Sequence, residues 1–136
     1  MERLLSRDEF KRLVLGRKKG LCTFCSRQAV DAHHILERKL FEDGGYYLSN
    51  GAAVCEEHHW DCELTLITVE EVRAAAGIIN PVLPPSFNSA KKYDKWGNVL
   101  REDGMREPGP LFKDTGTRKA LAAGGRLGLF LLDGMT

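Results

Sequence analysis

Hydrophobic residues near the start of the chain follow the spacing of an amphipathic helix. Charged residues separate the apolar positions of one helical face, which are Phe10, Leu13 and Val14. The preceding segment Ser6-Arg7-Asp8-Glu9 has the form of a capping box, so a helix should start just after Ser6. We expect this helix to end at Gly16. The pattern therefore predicts a helix over about residues 7–15.

The middle of the chain carries two short segments that predict strands. The first spans Ala29 to Ile35, and the second spans Ala52 to Val54 after a glycine-rich loop. A helix should start near Glu56, because acidic residues are favoured in a first helical turn. Another capping box, Thr68-Val69-Glu70-Glu71, predicts a helix over about residues 69–76 that Gly77 ends.

From Asn80 onward, turn signals replace periodic patterns. They include Asn80-Pro81 and Pro108-Gly109-Pro110. Two exceptions are Arg118 to Ala123, which predicts a short helix, and Leu127 to Leu132, which predicts a strand. We expect this segment to be an irregular arm that packs over the rest of the chain.

Length and composition are those of one globular domain. The chain has 136 residues, of which 43% are hydrophobic and 29% are charged, with a formal net charge of +1. We therefore predict a single domain over residues 1–136. It comprises an N-terminal helical segment at 1–19, a core at about 20–77 and the irregular C-terminal arm at 78–136.

Two absences favour a cytoplasmic, intracellular protein with no membrane partner. No apolar run approaches the length of a membrane span, and charged residues occupy the first positions, where a secretory signal would need apolar ones. Thiols are kept reduced in that compartment, which favours metal binding over disulfides.

Every cysteine and histidine of the chain lies between Cys22 and Cys62. Cys22-x-x-Cys25 and Cys55-x-x-His58 are two ligand pairs with the spacing of a zinc knuckle. A strand-loop-strand between them would close a tetrahedral structural Zn²⁺ site of three cysteines and one histidine. Cys62, one helical turn after His58, is the alternative fourth ligand.

Polar residues remain after this site is filled, namely His33, His34, Asn50 and His59. His33 and His34 end the first predicted strand, and His59 directly follows the second knuckle. Neighbouring strand residues point to opposite sides, so the two histidines need not have the same role. One of them can bind a second metal with His59, while the other acts as a base.

With these residues the chain resembles the HNH endonuclease family and its ββα-metal fold. The resemblance covers about residues 20–65, through Cys22-Thr23-Phe24-Cys25, Asp31-Ala32-His33-His34-Ile35, Gly44-Gly45, Asn50-Gly51-Ala52-Ala53-Val54-Cys55 and His58-His59. It implies an α+β fold with a small ββα-metal nuclease core held by a structural zinc. It further implies that His34 is the general base and that His33 and His59 bind a catalytic divalent metal. By the same resemblance, Asn50 steadies the loop that presents the base.

Two positions of this chain depart from the pattern of the HNH family. His58 stands where the family usually has cysteine. Glu63 stands where some members have a further histidine, and it either completes the catalytic metal site, directly or through water, or is a solvated helix residue. The sequence from Asp31 to His34 is similar to the His-His variant of the colicin DNases. Asp31 can fix the tautomer of the base.

These assignments suit the hydrolysis of phosphodiester bonds. A histidine near neutral pKa can deprotonate water, and a divalent metal (Mg²⁺, Mn²⁺, Ni²⁺ or Zn²⁺) can neutralise charge that develops on phosphate oxygens. The sequence therefore predicts a bacterial or phage-type HNH endonuclease acting on DNA. The alternatives are a zinc-stabilised nucleic-acid-binding module without catalysis and a nuclease acting on structured RNA.

Basic residues near this block are candidate contacts for the phosphate backbone. Arg38 and Lys39 are favoured, because they follow His34 by only a few residues. The other candidates are Arg12, Arg17, Lys18 and Lys19 before the first knuckle and Lys91, Lys92 and Lys95 in the arm. Tyr93 and Trp96 are interpreted as packing anchors rather than base-stacking residues.

Overall fold

The structure, a computed structural model, describes residues 2–130 and has a mixed α+β fold. Within this range there are four α-helices and two small antiparallel sheets. In chain order, the elements are α1 (Arg7–Arg17), β1 (Asp31–His34), β2 (Gly51–Val54), α2 (Glu56–Glu63), α3 (Val69–Ala76), β3 (Lys92–Tyr93), β4 (Val99–Leu100), β5 (Arg106–Glu107) and α4 (Thr115–Ala123).

The capping box predicted at the start of α1 is confirmed. The Ser6 side chain accepts a hydrogen bond from the Glu9 amide, and the Glu9 carboxylate accepts one from the Ser6 amide. The predicted end at Gly16 is wrong, since the helix continues through it to Arg17. The Arg17 guanidinium donates to the backbone carbonyl of Leu48 (3.1 Å) and to that of Gly51, which anchors this last turn.

The strands β1 and β2 form an antiparallel pair with Asp31 opposite Val54 and His34 opposite Gly51. The first strand is shorter than the predicted span of residues 29–35. The hydrogen bonding continues beyond it, because the amide of Val30 donates to Val54 and that of Ile35 donates to Asn50. The buried residues Phe10 and Val14 pack α1 against this pair.

The helix α2 follows β2 directly, with Cys55 as its N-cap residue. The predicted helix α3 is also confirmed, including the Thr68 capping box and the left-handed Gly77 at its end. A core on this side of the sheet contains the buried residues Ile35, Leu36, Phe41, Ala52, Cys62, Val69 and Val72. Strand, strand and helix therefore meet over one small core.

The C-terminal arm is more regular than the sequence predicted. The strands β3, β4 and β5 form an antiparallel sheet in the described part of the chain, and two-residue strands are too short to leave a periodic pattern. A buried network holds this sheet: the Asp94 carboxylate accepts hydrogen bonds from Asn98 and from Arg106 (2.8 Å). Arg106 also donates to Thr65, so the network ties the arm to the segment between α2 and α3.

Two other predictions for the arm need correction. The helix α4 starts earlier than position 118, because Asp114 caps it by accepting a hydrogen bond from the Thr117 amide. The strand predicted over Leu127 to Leu132 is wrong at Leu127–Leu129, which form a single 3-10 turn, while residues 131 and 132 lie outside the described residues.

Within residues 2–130, no helix combines the length and apolar character that crossing a membrane requires.

Candidate metal centres and the adjoining groove

The first candidate centre lies where the turn before β1 meets the start of α2. Cys22, Cys25, Cys55 and His58 each place one ligand atom within 4.8 Å of all the others. The Cys25 and Cys55 sulfurs are 3.8 Å apart, and the His58 Nδ1 atom lies 3.6 Å from the Cys22 sulfur and 3.2 Å from that of Cys55. These residues lie close enough to bind one metal ion.

These separations suit zinc. With ordinary Zn–S and Zn–N bond lengths, a tetrahedron has S···S edges of about 3.8 Å and S···N edges of about 3.6 Å. The S···S distance and the longer S···N distance match these edges. Cys22 and Cys55 are buried, whereas Cys25 and His58 are partly exposed, so the site lies just below the protein surface. The arrangement can hold a structural metal ion such as zinc.

The alternative ligand Cys62 lies elsewhere. Its side chain is buried among the apolar residues of the core formed with Ile35, Leu36 and Val72. It is not part of the group whose ligand atoms all lie within 4.8 Å of one another, and burial raises the pKa of its thiol to about 12. His58 rather than Cys62 therefore stands with the three cysteines.

A second group capable of holding a metal consists of His33, His59 and Glu63. His33 lies on β1 and is 2% exposed, whereas His59 and Glu63 lie one turn apart on α2. The two imidazole rings meet edge to face with centroids 5.2 Å apart, and the His59 Nε2 atom is 3.2 Å from the Glu63 carboxylate. The pairing of β1 with β2, followed directly by α2, is what brings these three side chains together.

The donor set of this group fits a divalent cation. The buried Nδ1 atom of His33 has no hydrogen-bond partner within residues 2–130, and such an atom calls for a ligand. Burial, together with the charge of Lys95, lowers the pKa of His33 well below its ordinary value, so the imidazole is neutral. Burial opposes ionisation of Glu63, but hydrogen bonding to His59 and the charge of Lys95 outweigh it and lower the pKa of Glu63. Neutral imidazole and ionised carboxylate are the forms that bind metals.

Lys95 is the residue at this site that sequence reasoning misjudged. It was a candidate phosphate contact, yet it is 4% exposed and its ammonium points inward. The Nζ atom donates to the backbone carbonyl of His34 (3.0 Å) and lies 3.4 Å from the carboxylates of both Glu37 and Glu63. The next residue, Trp96, donates from its indole to the backbone carbonyl of Glu63 (2.9 Å). No periodic signal in the arm indicates these contacts.

His34 lies at the edge of a groove on the α1 side of the sheet. Its ring stacks on Phe10 with centroids 4.6 Å apart and meets Tyr46 edge-on at 5.0 Å. The Nε2 atom is buried and has no hydrogen-bond partner among the described residues. Burial, reinforced by the positive charges of Lys95 and Arg38, lowers the pKa of His34 to about 4. The imidazole is therefore neutral at pH 7, but it is a weaker base than the near-neutral histidine that the sequence predicted.

Asn50 is buried, and within residues 2–130 its side chain forms hydrogen bonds only with backbone groups. Its side-chain amide donates to the carbonyls of Leu36 (3.0 Å) and Gly45 (3.2 Å), and its oxygen accepts from the Leu36 amide (2.9 Å). These bonds join the segment that follows β1 to the loop that precedes β2. The contacts organise the backbone next to His34.

Asn50→Ala should therefore destabilise the protein by about 3 kcal/mol. The substitution removes three hydrogen bonds and leaves buried backbone groups without partners. Urea unfolding monitored by circular dichroism measures this change. Asn80→Ala, at an exposed asparagine, is the matched control and should stay within about 0.5 kcal/mol of the wild type. Equal unfolding midpoints for the two variants would show that Asn50 is not an organising residue.

Asp31, which was predicted to fix the tautomer of His34, lies next to His59 instead. One carboxylate oxygen accepts a hydrogen bond from the Ala32 amide, and the other is 3.9 Å from the His59 Nδ1 atom. In the strand, Asp31 alternates with Ala32 and so shares a face with His33. Within residues 2–130, no hydrogen bond joins Asp31 to His34, and the carboxylate is placed to orient His59.

The groove beside His34 has a volume of about 460 Å³ and a mixed lining with a basic excess. Arg7 and Lys11 lie one helical turn apart on α1, and Arg38 reaches the groove from the segment after β1. Arg38 donates to the Tyr46 hydroxyl at 3.2 Å, which holds its guanidinium at the edge. Asp8 and Asp31 also line the groove, so three cations face two carboxylates.

Three of the predicted phosphate contacts are engaged elsewhere. Lys39 forms an ion pair with Asp114 (3.0 Å), Arg17 binds backbone carbonyls, and Lys95 is buried.

The interpretation of the arm's aromatic residues as packing anchors agrees with their contacts. Tyr93 stacks on Phe87 with centroids 4.0 Å apart, and Trp96 packs against the cluster of Phe112, Leu121 and Phe130.

Comparison with known proteins adds no relative. No protein-family model matches this sequence, and neither a curated protein nor a solved structure matches it significantly. Function must therefore be inferred from the two metal-capable groups and the groove beside them.

Proposed function

We propose that this protein is a metal-dependent endonuclease of the HNH type that hydrolyses phosphodiester bonds of DNA. The observation that carries the proposal is the grouping of His33, His59 and Glu63, directly next to a neutral His34. The order of β1, β2 and α2 around this group supports the proposal of a ββα-metal core. A module that only binds nucleic acid has no need of a second metal-capable group or of an unpaired imidazole beside it.

In this proposal His33, His59 and Glu63 hold the catalytic divalent metal. Such an ion supplies positive charge to the phosphate oxygens in the transition state. The side chains prepare for it in two ways. Burial keeps His33 neutral, and Asp31 and Glu63 flank His59 on its two ring nitrogens at 3.9 Å and 3.2 Å. An acidic partner on the ring nitrogen that does not bind the metal, here Asp31, orients a metal-binding imidazole.

His34 is the general base of the proposed reaction. Its neutral imidazole can take a proton from the water that attacks phosphorus. The buried Nε2 atom of His34 has no hydrogen-bond partner within residues 2–130, which costs folding free energy. Such a cost is tolerated where the nitrogen takes part in chemistry. Stacking on Phe10 and the edge contact with Tyr46 hold the ring in one orientation. The hydrogen bonds of Asn50 hold the backbone that follows it.

The basic lining of the groove is the proposed contact for the DNA backbone. Arg7, Lys11 and Arg38 are exposed and can approach phosphates on either side of the scissile bond. Contacts to phosphate supply affinity that falls as salt rises and that does not depend on sequence.

Arg38→Gln should weaken DNA binding by the same factor for unrelated DNA sequences. It should also lower the slope of log affinity against log salt by about one, because one phosphate contact is lost. Fluorescence anisotropy over a salt series measures both quantities. Lys39→Gln is the matched control: it removes the same charge at the neighbouring position, but from a side chain that pairs with Asp114. Equal effects of the two substitutions would place the DNA outside the groove.

Incubation with two substrates tests the proposed function. Purified protein is mixed with supercoiled plasmid or with structured RNA, in Mg²⁺, Mn²⁺ or Ni²⁺ and in a chelator control. We expect metal-dependent nicking or linearisation of the plasmid. Binding without cleavage in any metal would identify a zinc-stabilised binding module, and cleavage of RNA alone would identify a ribonuclease.

A further inference from the structure

Lys95 is enclosed by oxygen atoms in the way that a bound cation would be. Its ammonium lies 3.0 Å from the His34 carbonyl and 3.4 Å from one carboxylate oxygen each of Glu37 and Glu63. These three groups come from β1, from the segment after it and from α2. The lysine itself comes from the arm, and its side chain is only 5% exposed.

Glu63 connects this enclosure to the second metal-capable group. Its Oε1 atom faces His59 at 3.2 Å, whereas its Oε2 atom faces Lys95 at 3.4 Å. The buried Oε2 atom accepts no hydrogen bond of normal geometry within residues 2–130, and its contact with Lys95 is an ion pair. A carboxylate shared between two neighbouring cation positions is the arrangement of two-metal hydrolytic sites.

We propose that the Lys95 ammonium fills a second cation position, made by Glu37, Glu63 and the His34 carbonyl, beside the proposed catalytic metal. The chain thereby supplies one of the two positive charges from its own arm and needs only one divalent ion at this place. Lys95 is a positioning residue, because it acts on Glu63 and on the backbone of His34 and not on the substrate. The neighbouring catalytic metal site belongs to the proposed function, on which this part of the inference rests. Occupancy of the second cation position can be tested without cleavage.

Removal of the ammonium should open the position to a divalent cation. Lys95→Ala leaves two carboxylates and a carbonyl facing the space of a missing side chain. Metal–oxygen bonds to ions of this size are about 2.1 Å, so each carboxylate, now 3.4 Å from the ammonium, must move inward by about 1.3 Å. Glu37 and Glu63 are 14% and 25% exposed, which leaves their side chains room to do so.

Equilibrium dialysis with Mn²⁺, on zinc-loaded protein and without nucleic acid, tests the proposal. Lys95→Ala should bind one Mn²⁺ per chain more than the wild type, and Mn²⁺ should raise its melting temperature more than that of the wild type. The double variant Lys95→Ala/Glu37→Gln should lose the additional ion. Lys92→Ala, at an exposed lysine of the same arm, is the matched control and should bind like the wild type.

The outcomes separate this inference from the proposed function. If the wild type binds no Mn²⁺ and Lys95→Ala binds one, the second position is real and the proposed catalytic metal site is wrong. Equal Mn²⁺ binding by Lys95→Ala and the wild type, without a larger thermal shift, overturns the inference. If zinc-loaded Lys95→Ala does not fold without added Mn²⁺, folding in Mn²⁺ supports a replaceable cation, and failure to fold in either condition overturns the inference.

Discussion

Cys22→Ser should yield a protein that neither retains zinc nor folds. Cys22 is a buried member of the four-residue group that joins the turn before β1 to the start of α2. Binding of structural zinc is worth about 10–16 kcal/mol in small zinc-binding domains, which is comparable to the whole stability of a domain of this size. Elemental analysis and circular dichroism after purification measure the two losses. A folded, metal-free Cys22→Ser protein would refute the structural metal site.

A comparison of His58→Ala with Cys62→Ala separates the two candidates for the fourth ligand. His58→Ala should lose the metal, because its Nδ1 atom lies 3.2 Å and 3.6 Å from two of the sulfurs. Cys62→Ala should retain one zinc per chain and lose only the stability of a small core cavity. The reverse result would move the fourth ligand to the core cysteine.

The second large effect is expected for His34→Ala. Loss of a general base typically lowers the rate by about 10²–10⁴-fold. Zinc content, Mn²⁺ binding and DNA affinity should change little, because the imidazole belongs to neither metal-capable group. A plasmid-cleavage time course under saturating Mn²⁺ measures the rate.

His59→Ala is the comparison that separates the base from the metal. It should also abolish cleavage, but with weaker binding of Mn²⁺, and part of its activity should return at high Mn²⁺ concentration. Because His34 stacks on Phe10, His34→Gln provides a variant that keeps more of the side-chain volume. A cleavage rate close to that of the wild type in both His34 variants would eliminate the base assignment.

The sequence predicted the elements that local signals specify. The capping boxes at Ser6 and Thr68 located two helices, because side-chain and backbone groups only a few residues apart satisfy each other there. The ligand spacing located the Cys22, Cys25, Cys55 and His58 group, since pairs two residues apart form a knuckle without help from the rest of the chain.

Contacts between distant segments could not be predicted in this way. The Lys95 ammonium meets Glu37 and Glu63 only after the arm has folded back over the core, and no local pattern marks that return. In the arm, the buried Asp94 and Arg106 join residues 12 positions apart in the chain, which no local pattern marks. Arg17, the last residue of α1, binds backbone carbonyls far along the chain, and such contacts leave no local signal at Gly16.

Restoration of cleavage by an added divalent metal tests the central claim most directly. Zinc-loaded protein is first treated with a chelator that leaves the structural zinc in place, and supercoiled plasmid is then added with or without excess Mn²⁺. We predict no cleavage before the addition and nicked or linear plasmid after it, with zinc constant at one per chain. Intact plasmid in Mn²⁺, with zinc content and fold preserved, would contradict the proposal that His33, His59 and Glu63 form a catalytic metal centre.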